Sequence, residues 1–171
     1  MTHRVYNQQL GKGTGMINET LLLLELCEEG TTKESLLKQV IDSNILSTSS
    51  ETRARDIVRT VFYNRFMKDN AKVCLWLKRA RSRGLSVNHL SQLLYIFCVR
   101  QNDILREFIE TELNPTTDSF IEALPKDAFI KFVKNLAINN LVDWSDASIK
   151  KNASYIKASL CDFQIIDNNN N

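Results

Sequence analysis

Residues 49–67 read SSETRARDIVRTVFYNRFM, and this stretch decides the fold class. Ala54, Ile57, Val58, Val61, Phe62 and Phe66 recur three and four residues apart, the period of one face of an α-helix rather than the alternation of a strand. Ser49 or Ser50 supplies the hydroxyl that starts such a helix by accepting from an amide one turn on. The helix is predicted to run to about Met67. Arg55, Arg59 and Tyr63 follow at i, i+4 and i+8 on a flank, with Arg53 and Asn64 on the polar side. Arg65 falls among the apolar positions, so it must snorkel out or find a carboxylate.

The neighbouring segments carry the same period. A first helix is predicted over 17–29, ended by Gly30, with Leu21, Leu22, Leu24, Leu26 and Cys27 making it apolar almost all round and therefore central. Thr31 and Glu34 form a capping box for a helix to about Ser43, with Leu36, Leu37, Val40 and Ile41 on one face. Residues 44–49 connect it to the arginine-bearing helix. Helix, connector and capped helix resemble a helix-turn-helix arrangement, with a longer connector than the usual tight turn.

Beyond Met67, a helix over 71–83 points Val73, Cys74, Leu77 and Ala80 inward, with Leu75 and Trp76 extending that face. Gly84 closes it. Ser86 caps a helix to about Arg100 carrying Val87, Leu90, Leu93, Leu94, Phe97 and Cys98. A helix over 103–113 follows, then a break at Asn114-Pro115 and a short helix, capped by Thr117 or Asp118, to Leu124. Pro125 fits the first position of a helix to about Asn139. Ser145 caps a last helix to Leu160, and 163–166 form a short extended piece. The expectation is an all-α bundle of about eight helices. It divides near residue 114 into an N-terminal part (1–113) with the basic face and a C-terminal part (114–171), sharing one core. Five glycines and two prolines in 171 residues are too few for the turns of a sandwich or barrel.

Much chemistry is excluded. Apolar residues make up 43% and charged residues 25%, the balance of a globular protein with its own core. No apolar run approaches the roughly 18 residues of a bilayer span, and the 21–26 run is interrupted by Glu25. No signal-peptide pattern opens the chain, so the expected setting is cytoplasmic, without membrane contact. Cys27, Cys74, Cys98 and Cys161 show no CxxC spacing and read as buried hydrophobes. His3 and His89 have no nucleophile or ligand partner at helical spacing. No GxSxG, HExxH or paired DxD occurs. The expectation is no enzyme, no metal and no cofactor. Gly11-Lys12-Gly13-Thr14-Gly15 mimics a phosphate loop without its spacing or preceding strand. It reads as a flexible lead-in, with the remaining option that its amides hold a nucleic-acid phosphate.

Charge is the positive signal. The net charge is only +2, yet residues 51–100 hold eleven Lys/Arg against three Asp/Glu, while both flanks are net negative. The excess is confined to Arg53, Arg55, Arg59, Arg65, Lys68 and Lys72, and to Lys78-Arg79-Ala80-Arg81-Ser82-Arg83. Arginine forms bidentate bonds to phosphate and to guanine edges, so the residue type as well as the sign suits DNA. Arg55, Arg59, Lys78, Arg79, Arg81 and Arg83 are candidate phosphate contacts, and Arg53 and Asn64 candidate base-edge contacts. Six phosphate contacts would give a log–log salt slope of about −5. A rival reading stands beside this one: the basic patch could dock an acidic surface of a partner protein.

The stretch Tyr6, Gly13-x-Gly15-x-Ile17 and Glu19-x-x-Leu22-Leu23-Leu24-Glu25 resembles the opening of the BrxA family of BREX bacteriophage-defence systems. Asn44-Ile45-Leu46, Ser49-Ser50-x-x-Arg53-Ala54-x-x-Ile57-Val58-Arg59, Arg65, Leu75-Trp76-Leu77 and Trp144-Ser145 continue the likeness to about Leu160. The resemblance implies an all-helical, NusB-like fold, double-stranded DNA binding without catalysis, and work beside other BREX proteins, among them a methyltransferase, an ATPase and a phosphatase-like protein. Carried over position by position, the matching basic residues are Arg53, Arg59 and Arg65. RNA binding is the corresponding implication of the NusB likeness.

Overall fold

The computed structural model describes residues 6–68, 70–113 and 124–166. The expected break at Asn114-Pro115, the short helix after it and the subdomain boundary lie outside the described residues, as does the closing run of asparagines. Every regular element among the described residues is helical, so the all-α expectation holds. The helices are α1 (Ile17–Leu26), α2 (Lys33–Ser43), α3 (residues 51–66), α4 (Lys72–Ser82), α5 (Val87–Gln101), α6 (Asp103–Glu112), α7 (Ala128–Ile138) and α8 (Asp146–Asp162). A 3-10 turn, Gln9–Lys12, precedes them.

The chain forms two compact units, one of Met16–Gln101 and one from the segments on either side. In the first unit the helices close a ring: α1 packs on α2, α2 on α3, α3 on α5, α5 on α4, and α4 back on α1. Leu23, Leu24, Leu36, Val58, Phe62, Leu90 and Leu94 fill it. Phe66 bridges the rings of Phe62 and Phe97, at centroid distances of 5.2 and 5.6 Å. In the second unit α6, α7 and α8 pack on one another, and the 3-10 turn lies on α8. There Phe108 stacks on Phe129 at 4.8 Å and meets Phe132 edge-on at 5.2 Å.

The helix carrying residues 49–67 forms as its sequence requires, with one change. Ser50 Oγ accepts from the Arg53 amide, and all six apolar positions named above are buried. Its middle, Asp56–Phe62, is wound as π-helix between α-helical ends Glu51–Arg55 and Tyr63–Phe66. The i→i+5 turns take Arg59 and Tyr63 off a strict 3.6-residue stripe. Arg65, Phe66 and Met67 are then all buried in succession.

Other boundaries shift for local reasons. α1 ends at Leu26, where Cys27 turns extended, and Gly30 takes its positive φ in the turn beyond. Leu22 of α1 is exposed, so that helix is not apolar all round. The α2 capping box uses Thr32 and Ser35, because the Thr31 hydroxyl is occupied in accepting from the Glu28 amide. α7 begins at Ala128, since Pro125 belongs to a preceding turn whose carbonyl accepts from the Ala128 amide. Trp76 does not extend the inner face of α4. At 100° per residue it lies about 200° around the helix from buried Cys74, and it is 55% exposed. Val87 and Leu93 of α5 are also exposed, as the stripe through Leu90, Leu94 and Cys98 takes the core. Residues 163–166 are a turn, not an extended piece. Gln164, in the left-handed region, and Ile165 donate to Cys161 and Leu160 and close α8.

Candidate nucleic-acid interface

The basic residues singled out from the sequence belong to one unit. Met16–Gln101 holds thirteen Lys/Arg against nine Asp/Glu, while the rest of the chain has a net charge of −2. Within that unit the structure sorts the cations into two sets.

One set is committed to the protein itself. Lys78, on the inner flank of α4, donates through Nζ to the carbonyls of Glu25 at 2.6 Å and Cys27 at 3.0 Å. One turn on, Arg81 Nη1 donates to the Leu21 carbonyl at 3.2 Å and pairs with Glu25 at 3.0 Å. Lys78 thereby satisfies carbonyls at the C-terminal end of α1, where a helix presents unpaired acceptors and the negative end of its dipole, while Arg81 reaches back to a carbonyl in the middle of that helix. Arg55 pairs with Glu51 one turn earlier, at 3.0 Å. Asn64 Nδ2 donates to its own helix at the Thr60 carbonyl. Arg53 is half-buried and held by an interaction of its own. Arg65 is only 8% exposed, and burial holds its guanidinium below the usual arginine range.

The other set is free at the surface. Arg59 on α3, Lys68 after it, Lys72 and Arg79 on α4, and Arg83 at its end are exposed, with no side-chain hydrogen bond or ion pair among the described residues. Arg83 precedes a closure that needs glycine. Gly84, at φ +92, donates to the Arg81 carbonyl while Leu85 donates to Ala80, a Schellman ending that a side chain would strain. Sequence reasoning weighted Lys78 and Arg81 like Arg79 and Arg83, and passed over Lys68 and Lys72 as candidates. Position along α4 separates them, since residues 74, 77, 78 and 81 share the α1-facing side.

The α4 end of this surface is not uniformly basic. A cavity of about 520 Å³ is lined by Glu28, Glu29, Lys72, Leu75, Trp76 and Arg79, among others. A second of about 640 Å³ is lined by Glu25, Cys27, Lys78, Arg79 and Arg81, among others.

The glycine-rich segment belongs to the other unit and is pinned there. Gly11 lies against the Tyr155 ring, where a Cβ would sit 2.3 Å from a ring carbon. The Gly15 amide donates to Asp162 Oδ2 at 2.8 Å, and the Thr14 hydroxyl donates to the same oxygen at 2.7 Å. This corrects the flexible lead-in: the glycines are there for close approach, and the Gly15 amide is already satisfied by a carboxylate. His89 does have a neighbour, since the Ser86 hydroxyl lies 2.9 Å from Nδ1, but Ser86 also accepts from the His89 amide. The pair is a helix cap. Among the described residues, no three His, Cys, Asp or Glu side chains gather as a metal site, and no helix is long and apolar enough to cross a membrane.

Comparison with known proteins matches nearly the whole of this helical chain. It is 23% identical over 157 residues, 91% of its own length and 71% of the relative's, to the BREX protein BrxA of Escherichia coli O9:H4 (strain HS). The family model of BrxA matches residues 4–171, and the chain belongs to the BrxA family.

Proposed function

We propose that this chain is a non-enzymatic accessory protein of a BREX phage-defence system that binds double-stranded DNA in the cytoplasm. The observation that carries the reading is the exposed set Arg59, Lys68, Lys72, Arg79 and Arg83, on a unit with surplus positive charge. Exposed cations with no internal acid can exchange condensed counterions for phosphates, which gives affinity without sequence choice. Lys78 and Arg81 support the surface indirectly by fixing α4 to α1. The test is duplex binding by the triple variant Arg59→Ala, Arg79→Ala, Arg83→Ala beside the wild type, with a matched RNA duplex as competitor. Loss of DNA binding in a folded variant supports the reading. Unchanged binding, or preference for RNA, overturns it.

One observation favours a second reading, an adaptor that docks another BREX protein. Trp76 stands exposed beside Leu75 and Arg79, and Trp and Arg are the residue types that dominate protein interfaces. In that case Trp76→Ala abolishes capture of the partner and leaves DNA affinity intact.

A further inference from the structure

The cavity of about 520 Å³ between α4 and the turn after α1 holds groups that the proposed duplex surface does not use. Its volume is that of a small-ligand pocket, about 300–1,000 Å³. Residues 72, 75, 76 and 79 fall within about 100° of one another around α4, so they form one wall. Leu75 is half-buried there, and Trp76 is 55% exposed. Along the helix axis Lys72 lies about 6 Å before Trp76 and Arg79 about 4.5 Å beyond it. Glu28 and Glu29 supply the other wall. Their turn is closed on itself. The Glu28 amide donates to the Thr31 hydroxyl at 2.8 Å, the Thr31 amide donates to the Glu28 carbonyl at 3.1 Å, and Gly30 takes φ +84 between them. The two carboxylates and the two cations line one cavity, yet among the described residues no ion pair joins them, and all four residues are exposed.

We propose that this cavity takes one unpaired guanine nucleotide of a DNA single strand, with its base stacked on Trp76. The inference rests on the DNA-binding reading of Lys72 and Arg79 and extends it from duplex backbone to an exposed base. An exposed aromatic ring within a track of positive charge is the arrangement of a single-strand site, where bases stack on the ring and the backbone follows the cations. Lys72 and Arg79, one on each side of Trp76, meet the phosphates 5′ and 3′ of the stacked nucleotide. A free mononucleotide has phosphate on one side only. A fully paired duplex cannot enter, because its bases already stack on one another. The carboxylates set the base. An ionised Glu only accepts hydrogen bonds, and guanine alone offers two adjacent donors, N1–H and N2–H, on the edge that unpairing uncovers. Adenine and cytosine place one amino donor beside a ring acceptor, and thymine sets its one N–H between two carbonyls. Glu28 and Glu29 therefore oppose a strand in general and favour one that presents guanine. A basic side chain of a partner protein is the other ligand that would seek Trp76 and two carboxylates, but Lys72 and Arg79 flank the ring and repel it.

Trp144 is the second tryptophan, so the experiment uses the full chain carrying Trp144→Phe and reads the emission of Trp76. The probes are short thymine single strands whose central base is guanine, adenine or thymine. The expected result is saturable quenching, at the lowest concentration for the guanine strand. Trp76→Ala, followed by anisotropy of the labelled guanine strand, should weaken binding about 5- to 150-fold and leave binding of a fully paired duplex unchanged. Glu28→Gln with Glu29→Gln should shrink the preference for guanine over thymine. Strand binding without quenching, quenching indifferent to the central base, or deoxyguanosine monophosphate binding as tightly as the strand would overturn the proposal. Duplex binding is measured on the same preparation. A chain that binds duplex but not the guanine strand overturns this site and leaves the duplex reading standing, whereas guanine-specific quenching without duplex binding does the reverse. If Trp144→Phe does not fold, the difference in quenching between the wild type and Trp76→Ala decides the matter.

Discussion

Replacing Lys78 by methionine separates a structural cation from a DNA-binding one. Methionine keeps most of the apolar stem and removes the ammonium that donates to the Glu25 and Cys27 carbonyls at 2.6 and 3.0 Å. A hydrogen bond from a charged donor is worth roughly 1.5–3 kcal/mol, and a cation at a helix C-terminus adds roughly 0.3–1 kcal/mol. Lys78 is half-exposed and water can replace part of both contributions, so the expected loss is about 2 kcal/mol rather than the full sum. For a chain of this length that lowers Tm by about 4–8 °C, read by far-UV circular dichroism. The salt slope of DNA binding should not change. Arg79→Ala is the mirror image: stability within about 0.5 kcal/mol of wild type, and a salt slope shallower by about 1. The reasoning is refuted if Lys78→Met keeps the wild-type Tm and flattens the salt slope, because Lys78 would then be a phosphate ligand.

Phe108→Ala should cost about 3–5 kcal/mol, because it empties the centre of the second unit between Phe129 and Phe132; denaturant titration would show a lowered midpoint. Gly11→Ala should destabilise by about 1–3 kcal/mol through collision with the Tyr155 ring. Tyr155→Ala in the same chain should relieve part of that loss, so the double-variant cycle is non-additive, and an additive cycle would contradict the close approach. Trp76→Ala should change stability by less than about 1 kcal/mol, since the ring is 55% exposed, and a large drop in Tm would show that the ring holds the fold.

Helix existence was legible because the apolar period is strong. Ala54, Ile57, Val58, Val61, Phe62 and Phe66 fall on the core as their spacing requires, and so do Phe129, Phe132, Val133 and Leu136 of α7. Ends were less legible, because neighbouring residues compete for one cap. Thr31 and Thr32 are equivalent on paper until the Glu28 amide takes the first. The π segment of α3 leaves no mark on a pattern read at 3.6 residues per turn. For the site, charge clustering found the right helices but could not divide their cations. Whether Lys78 or Arg79 faces α1 depends on which helix packs on α4, and long-range packing is not written in local spacing.

Fluorescence anisotropy of a labelled DNA duplex, titrated with the full chain from roughly 50 to 200 mM salt, tests the central claim most directly. With Arg59, Lys68, Lys72, Arg79 and Arg83 as the phosphate contacts, log K should fall linearly with log salt at a slope no steeper than about −4.5. Absence of binding at the lowest salt, or binding indifferent to salt, would contradict a phosphate-contact surface on α3 and α4.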